Sequence, residues 1–248
     1  MIAVGERAKG LSGHRPALAA GIFDVDGVLL ASPHERAWRE ALEGLADTAR
    51  FTSALYQARV AGKPRLAGAL AALEALGVPD AERQAPAYAE RKQARLEALV
   101  QAGAVHAFPD ALRFVQAVAA LGLPMACASS SKNADAMMRP IRLDGGRGLL
   151  EAFKANVNGR DLRLGKPNPE IFLLAAAELG MAQARCFVVE DASAGIEAAR
   201  AGGMTALGVA RLGDADVLTA AGADLVVTSL DDVAIDELAA GRLRRRRT

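Results

Sequence analysis

The sequence predicts an α/β protein with a doubly wound, Rossmann-like parallel sheet and an inserted helical domain. Five short apolar or β-branched runs, each followed by a polar loop and a helical stretch, predict parallel strands that alternate with helices; they are 19–23, 124–128, 186–189, 206–209 and 225–227. Residues 33–106 contain no Ile and only four Val, and apolar residues recur there every three or four positions, which is typical of packed helices. With 248 residues, 52% of them apolar, the chain can bury a core in both parts.

We therefore expect an α/β core from residues 1–32 and 107–241, a helical cap domain from residues 33–106, and a basic tail at residues 242–248. The tail holds five of the 30 Lys and Arg residues, so the rest of the chain carries 25 basic against 29 acidic residues. Aromatic residues are not interleaved with these arginines, so we expect a solvated tail and no nucleic-acid binding.

The sequence gives no indication of a membrane-bound or secreted protein. Residues 115–131 carry no charge, but polar, Gly and Pro residues interrupt them, and they fall short of the roughly 18–20 apolar residues that span a bilayer. The N-terminal segment is charged, and its apolar run 16–23 leads into Asp24 instead of a small-residue cleavage site. Cys127 and Cys186 are each flanked by apolar residues, as expected for buried free thiols. We expect a cytoplasmic protein.

Acidic side chains follow two of the predicted strands. Ligands bind at the carboxyl ends of the strands in a doubly wound sheet. Asp24 and Asp26 follow the first strand, two residues apart, so both side chains point to one face of an extended segment. Glu190 and Asp191 follow a later strand. Four carboxyl groups at one edge predict a hard divalent cation with oxygen ligands, most simply Mg²⁺.

Two further residues at this edge suit an anionic substrate. Ser129 follows the second predicted strand with a hydroxyl, and the backbone amides after it can form an anion-binding helix start. Lys166, before a later helix, adds a compact positive charge. A cation held by acids also attracts an anion, so the sequence predicts phosphoryl transfer.

Four segments resemble, in the right order, the motifs of the haloacid dehalogenase superfamily of phosphotransferases. They are FDVDGV, ASSSKN, GKPNPEIF and VVEDASAGIEAARAGG. The resemblance covers roughly residues 20–212. The helical insert after the first motif, and the residues of the second and third motifs, are similar to those of the β-phosphoglucomutase-like branch. This branch also includes small sugar-phosphate phosphatases.

This resemblance implies specific catalytic roles. Asp24 would be the nucleophile that forms an aspartyl phosphate, and Asp26 the general acid that protonates the leaving oxygen and then acts as a base. Ser129 and Lys166 would hold the transferring phosphoryl oxygens. The implied Mg²⁺ ligands are Asp24, the backbone carbonyl of Asp26, Glu190 and Asp191.

The resemblance also implies substrate contacts. In the insert they are His34, Arg65 and Lys92, and after the second strand they are Ser131 and Asn133, which would hold a distal phosphate. Ordinary alternatives remain: His34 as a hydrogen-bonded hinge residue and Lys92 as part of a solvated helix face.

One departure from the family falls near the hinge. Ala31 stands where relatives usually have Asp, and the loop before His34 is shorter. This departure leaves the hinge geometry and the substrate open.

Three functions remain in competition. A mutase must grip a second phosphate, and the residues just named supply the groups, so the sequence favours a Mg²⁺-dependent, β-phosphoglucomutase-like phosphotransferase for phosphorylated sugars. A sugar-phosphate phosphatase is the close alternative. Dehalogenases and phosphonatases lack the second acid of the first motif, so Asp26 argues against both. A silent binding protein would be expected to have lost Asp24, Asp26 or Lys166, and all three are present.

Overall fold

The computed structural model describes residues 16–247. Residues 1–15 and Thr248 lie outside the described residues, and with them the start of the predicted core range and the charged N-terminal residues that weighed against a secretory signal. The strands are β1 (Ala20–Phe23), β2 (Leu30–Ala31), β3 (His106–Ala107), β4 (Met125–Cys127), β5 (Ala155–Asn156), β6 (Cys186–Glu190), β7 (Thr205–Val209) and β8 (Leu225–Val227). The α-helices are α1 (His34–Ala41), α2 (Ser53–Arg59), α3 (Arg65–Leu76), α4 (Ala81–Gln101), α5 (Pro109–Ala120), α6 (Ala134–Met138), α7 (Glu170–Leu179), α8 (Ser193–Ala201), α9 (Ala215–Ala220) and α10 (Ile235–Ala239).

Six of the strands form one parallel sheet in the order β5–β4–β1–β6–β7–β8, which confirms the predicted α/β core. β1 is central, and Gly21 pairs with Met125 on β4 and with Phe187 on β6. The strand order changes direction at β1, and such a switch point opens a crevice at the carboxyl ends of the strands. The residues that follow β1 therefore lie where a ligand is expected.

Apolar side chains cover both faces of this sheet. Phe23 and Phe187 point to one face, with ring centroids 6.1 Å apart, and Ile22 and Val188 point to the other. All four are fully buried. Strands buried on both faces have continuous apolar sequences, which made five of them recognisable. β5 has only two residues and no such run, so the sequence analysis missed it.

Helices α1 to α4 form a smaller helical unit with its own core. Trp38, Phe51, Leu73 and Tyr88 are buried in it. The rings of Trp38 and Tyr88 lie 5.2 Å apart, and the Tyr88 hydroxyl donates a hydrogen bond of 2.9 Å to the Trp38 carbonyl. A buried phenol requires such a partner, so this contact fixes α4 against α1.

The chain enters and leaves the helical unit through a short antiparallel ladder. Leu30 on β2 pairs with Ala107 on β3, and Ala31 pairs with His106. Two-residue strands carry no recognisable pattern, so the sequence did not predict this ladder. Ala31, the departure from the family pattern, is an exposed residue of this hinge.

None of the helices within residues 16–247 is long and apolar enough to cross a membrane. Both cysteines are buried free thiols. The tail is exposed but packs back on the core, where Arg242 lies 2.6 Å from Glu237 and the Arg244 carbonyl accepts a hydrogen bond from the Ala234 N–H.

Candidate active site

A buried network of charges lies at the carboxyl end of β1. Asp24 follows β1 directly, and Lys166 Nζ donates a hydrogen bond of 2.6 Å to Asp24 Oδ1. The same ammonium donates a second hydrogen bond of 2.6 Å to Glu190 Oε1. Burial disfavours the charged form of Lys166, but the two carboxylates hold its pKa above the usual range. Lys166 therefore stays positive between two acids.

Glu190 is fixed in this network by backbone donors. Its Oε2 accepts hydrogen bonds of 2.9 Å from Asp191 N–H and 3.0 Å from Ala192 N–H. Gly195, in the first turn of α8, makes room for it, because a Cβ there would lie 1.8 Å from Glu190 Oε1. Gly27, with φ +83°, does the same for Asp191, since a Cβ would lie 1.9 Å from Asp191 Oδ2.

Asp24, Glu190 and Asp191 can hold a metal ion. One carboxylate oxygen from each lies within 4.8 Å of the others. Burial raises the pKa of Asp24 to about 7, although Lys166 opposes the shift. Burial, Glu190 and Asp24 raise the pKa of Asp191 well above its usual range. Converging acids whose ionisation is so disfavoured fit a hard divalent cation such as Mg²⁺, which would supply positive charge beside a phosphoryl group when bound.

The Asp26 side chain does not belong to this carboxylate cluster. Ser129 Oγ donates a hydrogen bond of 3.2 Å to Asp26 Oδ2, and His34 Nε2 lies 3.5 Å from Asp26 Oδ1. Oδ1 is buried and accepts no hydrogen bond from any residue that the structure describes. Any contribution of Asp26 to a metal site would thus come from its backbone carbonyl.

His34 joins Asp26 to the helical unit. Lys92 Nζ lies 2.8 Å from His34 Nδ1, and Ser131 Oγ lies 3.3 Å from His34 Nε2. Burial lowers the pKa of His34 to about 4, so the ring is neutral at pH 7. With Lys92 as donor to Nδ1, the ring hydrogen is assigned to Nε2, on the side of Asp26. Lys92 is buried, so it does not belong to a solvated helix face.

Ser129 and Ser131 form a compact turn after β4. The Ser131 N–H donates a hydrogen bond of 3.1 Å to Ser129 Oγ, and the Asn133 N–H donates one of 3.2 Å to Ser131 Oγ. Ser129 is buried, and its own N–H donates to Asn158 Oδ1 at 2.8 Å. This turn directs both hydroxyl groups towards Asp26 and His34.

The side chain of Asn133 faces the helical unit. Gln93 Nε2 donates to Asn133 Oδ1 at 2.9 Å, and Asn133 Nδ2 donates to Gln93 Oε1 at 3.1 Å. The oxygen and the nitrogen of the Asn133 amide, predicted to hold a distal phosphate, thus both contact Gln93 on α4. Arg65 is one-third exposed at the start of α3 and lies 3.4 Å from Glu90.

Sequence reasoning missed two residues that build this site and left a third unassigned. Asn158 follows β5, and the strand-end rule would have found it if β5 had been recognised. Gln93 looks like an ordinary helix residue, and nothing in the sequence pairs it with Asn133. Ser130, which the sequence did not place, donates a hydrogen bond of 3.1 Å to the Gly62 carbonyl and so joins the core to the helical unit.

Arg211, which was also missed, ties the loop after β1 to the hinge. Its guanidinium donates to the carbonyls of Gly27 at 2.9 Å and Val28 at 3.1 Å, and to Asp110 Oδ2 at 3.1 Å. It also lies 3.7 Å from the centroid of the Phe108 ring, just beyond β3. Arg211 therefore contacts the chain just before β2 and just after β3, which are the two segments that connect the core to the helical unit.

The site surrounds a cavity of about 340 Å³ between the core and the helical unit. The predicted residues that line it are Asp24, Asp26, His34, Arg65, Lys92, Ser129, Ser131, Asn133, Glu190 and Asp191. Lys166 lies beneath this surface with its side chain fully buried. The folded chain therefore brings the predicted residues to one place, although Asn133 makes its side-chain contacts with α4.

Comparison with known proteins agrees with this arrangement. The sequence profile of haloacid dehalogenase-like hydrolases matches residues 19–203. A β-phosphoglucomutase from Mycobacterium bovis is 34% identical over 243 residues, which cover 86% of this chain and 90% of the relative. A phosphorylated carbohydrates phosphatase from Thermotoga maritima is 32% identical over 216 residues, which cover 85% and 94%.

A solved structure gives the same result. The archaeal β-phosphoglucomutase from Pyrococcus sp. strain ST 04 superposes with a TM-score of 0.71 at 31% identity, over 90% of this chain and 99% of that one. Its parallel sheet and flanking helices match the fold described above. The chain is thus an enzyme of the haloacid dehalogenase-like hydrolase family and belongs to its β-phosphoglucomutase-like branch.

Proposed function

We propose that this enzyme transfers phosphoryl groups of phosphorylated sugars through an aspartyl phosphate on Asp24. The observation that carries the proposal is the buried Asp24 carboxylate at the carboxyl end of β1, hydrogen-bonded to Lys166 and grouped with two further acids. A carboxylate in this setting is positioned by its neighbours and not by solvent. The sugar specificity is supported by the names of the two relatives given above.

In this proposal the phosphoryl group is transferred in two steps. An Asp24 oxygen bonds to phosphorus while the bond from phosphorus to the sugar oxygen breaks, and Asp26 gives its proton to that oxygen. Ser129 and Lys166 stabilise the charge on the phosphoryl oxygens. A second hydroxyl group then bonds to phosphorus while the bond from phosphorus to the Asp24 oxygen breaks, its proton goes to Asp26, and the Asp24 carboxylate is restored. Mg²⁺ held by Asp24, Glu190, Asp191 and the Asp26 carbonyl would add positive charge beside these oxygens.

Residues 33–106 act in this proposal as a cap over the site. His34, which contacts Lys92, lies 3.5 Å from Asp26 on the cap side. Arg65 lines the cavity, where its guanidinium can bind a substrate phosphate. Ser131 would meet the same phosphate from the core. A closed cap excludes water, and a mutase needs this because water competes with the sugar hydroxyl for the aspartyl phosphate.

A sugar-phosphate phosphatase is the second candidate. The specific observation that favours it is the reciprocal amide pair of Asn133 and Gln93, which occupies a side chain that a mutase would use for the distal phosphate. In the phosphatase, water takes the place of the second hydroxyl and phosphate is released. The intact Asp24, Asp26 and Lys166 argue against a non-catalytic binding protein.

The test is a panel of phosphorylated sugars with Mg²⁺, each assayed with and without a catalytic amount of the matching bisphosphate. Phosphate release and isomer formation are measured in the same samples. We expect turnover of at least one sugar phosphate, and Asp24→Asn should lower it by several orders of magnitude because an amide does not attack phosphorus. Isomer formation supports the mutase and phosphate release alone supports the phosphatase. Near-normal turnover by Asp24→Asn would contradict the proposed role of Asp24.

A further inference from the structure

The loop that follows β5 lies against the turn after β4, and the roles assigned above give its side chains no part in the reaction. This loop holds both backbone polar groups of Ser129. Asn158 Oδ1 accepts a hydrogen bond of 2.8 Å from the Ser129 N–H, and the Gly159 N–H donates one of 2.8 Å to the Ser129 carbonyl. Ser129 is only 2% exposed, so the loop, and not solvent, satisfies its backbone.

Gly159 makes this close packing possible. Its φ of +62° lies in the left-handed region, and a Cβ there would lie 2.7 Å from Lys132 Cα and 3.3 Å from Lys132 N. Backbone therefore meets backbone, with no side chain between them. The position of the turn at 129–132 thus depends on the loop against which it packs.

Asp135 determines which way the Asn158 amide faces. Asn158 Nδ2 donates a hydrogen bond of 2.9 Å to Asp135 Oδ1. A carboxylate only accepts hydrogen bonds and a backbone N–H only donates them, so the amide nitrogen must face Asp135 and the amide oxygen must face Ser129. The opposite orientation would place two acceptors together at Asp135 and two donors together at Ser129.

Asn156 holds Asp135 in place. Its Nδ2 donates hydrogen bonds to both oxygens of Asp135, at 2.9 and 3.0 Å. Its Oδ1 accepts a hydrogen bond of 2.9 Å from the Asn158 N–H. The three side chains therefore hold one another, and a polar network whose members are paired in this way is rigid.

The network ends at a group of the reaction site. Ser129 Oγ donates a hydrogen bond of 3.2 Å to Asp26 Oδ2 and accepts one of 3.1 Å from the Ser131 N–H. A group that stabilises developing charge must be held within about 0.5 Å of its productive position. The backbone of Ser129 sets the position of this hydroxyl, and Asn158 and Gly159 hold that backbone.

We propose that Asn158, oriented by Asp135, positions Ser129 for phosphoryl transfer. The proposal rests on the proposed function, in which Ser129 holds the transferring phosphoryl oxygens. Asn158 and Asp135 are positioning residues, because they act through Ser129 and not on the substrate. Their loss should lower kcat for every phosphate ester, since the transferring phosphoryl group is common to all of them.

The test exchanges the carboxylate and the amide. Asn158→Asp places two acceptors where a donor and an acceptor lie 2.9 Å apart. We expect kcat to fall roughly ten- to a hundredfold, with a smaller change in KM, for p-nitrophenyl phosphate and for the best sugar phosphate of the panel. Adding Asp135→Asn in the same chain should restore most of the lost kcat. The new amide can donate to the new carboxylate and accept from Asn156, and the carboxylate can still accept from the Ser129 N–H.

Two further variants complete the comparison. Gln101→Glu makes the same change from amide to acid at an exposed position at the end of α4, and it should leave kcat unchanged. Asn158→Ala removes the amide without placing two carboxylates together, so it gives the same measurement if Asn158→Asp does not fold. We expect it to lower kcat on both substrates, because the Ser129 N–H loses its partner.

A second background separates positioning from a purely structural role. A network that only held the fold together would lower Tm in Asn158→Asp and leave kcat of the folded enzyme unchanged. In Ser129→Ala the positioned hydroxyl is already absent, so adding Asn158→Asp should lower kcat by less than about threefold. Equal losses in the two backgrounds would show that Asn158 does not act through Ser129.

The outcomes distinguish this role from the proposed function. If Asn158→Asp and Asn158→Ala keep the wild-type kcat on both substrates, the positioning role is wrong while the proposed function stands. A loss that Asp135→Asn does not restore would overturn the orientation by Asp135. If the wild type turns over no phosphate ester, the proposed function fails and the positioning role fails with it.

Discussion

Lys92 is a buried lysine at the site, and burial of its charge makes the stability of the protein depend on pH. It is 3% exposed, with Nζ 2.8 Å from His34 Nδ1 and 4.9 Å from the centroid of the Trp38 ring. Burial lowers the pKa of Lys92 to about 7, although Asp26 attracts the charge. The unfolded chain keeps the proton up to the usual value near 10.5. Between these two values the unfolded state binds more protons, so the contribution of Lys92 to the free energy of unfolding rises with pH.

Replacement of Lys92 by methionine should therefore stabilise the protein. The gain should be largest at about pH 6, where the wild type must bury a charge, and should shrink towards about pH 9, where the folded wild type is already neutral. Urea unfolding at the two pH values measures it. Lys154→Met, at an exposed lysine, should change stability little at either. A gain that is equal at both pH values, or a loss at about pH 6, would contradict the inferred pKa shift.

At the scale of elements, the hinge depends on side chains that are far apart in sequence. Asp110, at the start of α5, is a partner of Arg211 and also accepts hydrogen bonds from Leu230 N–H at 2.8 Å and Ser229 Oγ at 3.2 Å. Burial alone would raise the pKa of Asp110, but these donors lower it below its usual value. The stabilisation is therefore present above the unfolded pKa of about 4 and is lost as pH falls through the lower folded value.

Arg211→Lys tests this tie, because lysine keeps the charge but cannot reach both backbone carbonyls and Asp110 together. We expect a loss of about 2 kcal/mol in the free energy of unfolding at neutral pH, since hydrogen bonds to charged groups are broken in a largely buried setting. The matched control is Arg113→Lys, whose pair with Asp231 is exposed to solvent and should contribute little to stability. Denaturant unfolding of both variants gives the comparison. Equal losses in both would mean that Arg211 is an ordinary surface cation.

The same elements show which features the sequence could predict. Asp24, Ser129 and Glu190 were predictable because each follows an apolar run, and parallel strands bring their carboxyl ends to one edge. Contacts that depend on side-chain direction were not predictable. The pairing of Asn133 with Gln93 requires the packing of α4 on the core, which no local pattern encodes.

Strand length set a second limit on prediction. β2, β3 and β5 have two residues each, too few to display a period. The sequence therefore predicted neither the ladder between β2 and β3 nor the position of Asn158 after β5. The role of Arg211 was not predicted for another reason. Its partners at positions 27, 28 and 110 become neighbours only in the folded chain.

At the scale of the whole molecule, the acidic site makes stability depend on pH and on metal. The raised pKa values of Asp24 and Asp191 mean that the metal-free folded state holds protons that the unfolded state has released. Stability contributed by these groups is therefore full below about pH 4 and is lost as pH rises through their folded pKa values, which for Asp24 is about 7. A cation that binds the ionised carboxylates reverses this loss, and its effect should grow over the same range.

Mg²⁺ should therefore raise Tm at about pH 8 and have little effect at about pH 5. At a concentration about a hundred times its dissociation constant, the gain is about 2.7 kcal/mol, which corresponds to roughly 5–10 °C for a chain of this size. The reference is NaCl at the same ionic strength, so that screening is matched. Asp191→Asn removes one ligand and one buried charge, so its metal-free Tm at about pH 8 should not fall while its response to Mg²⁺ shrinks. A Mg²⁺ shift that is undiminished in Asp191→Asn, or that is larger at about pH 5, would place the cation elsewhere on the molecule.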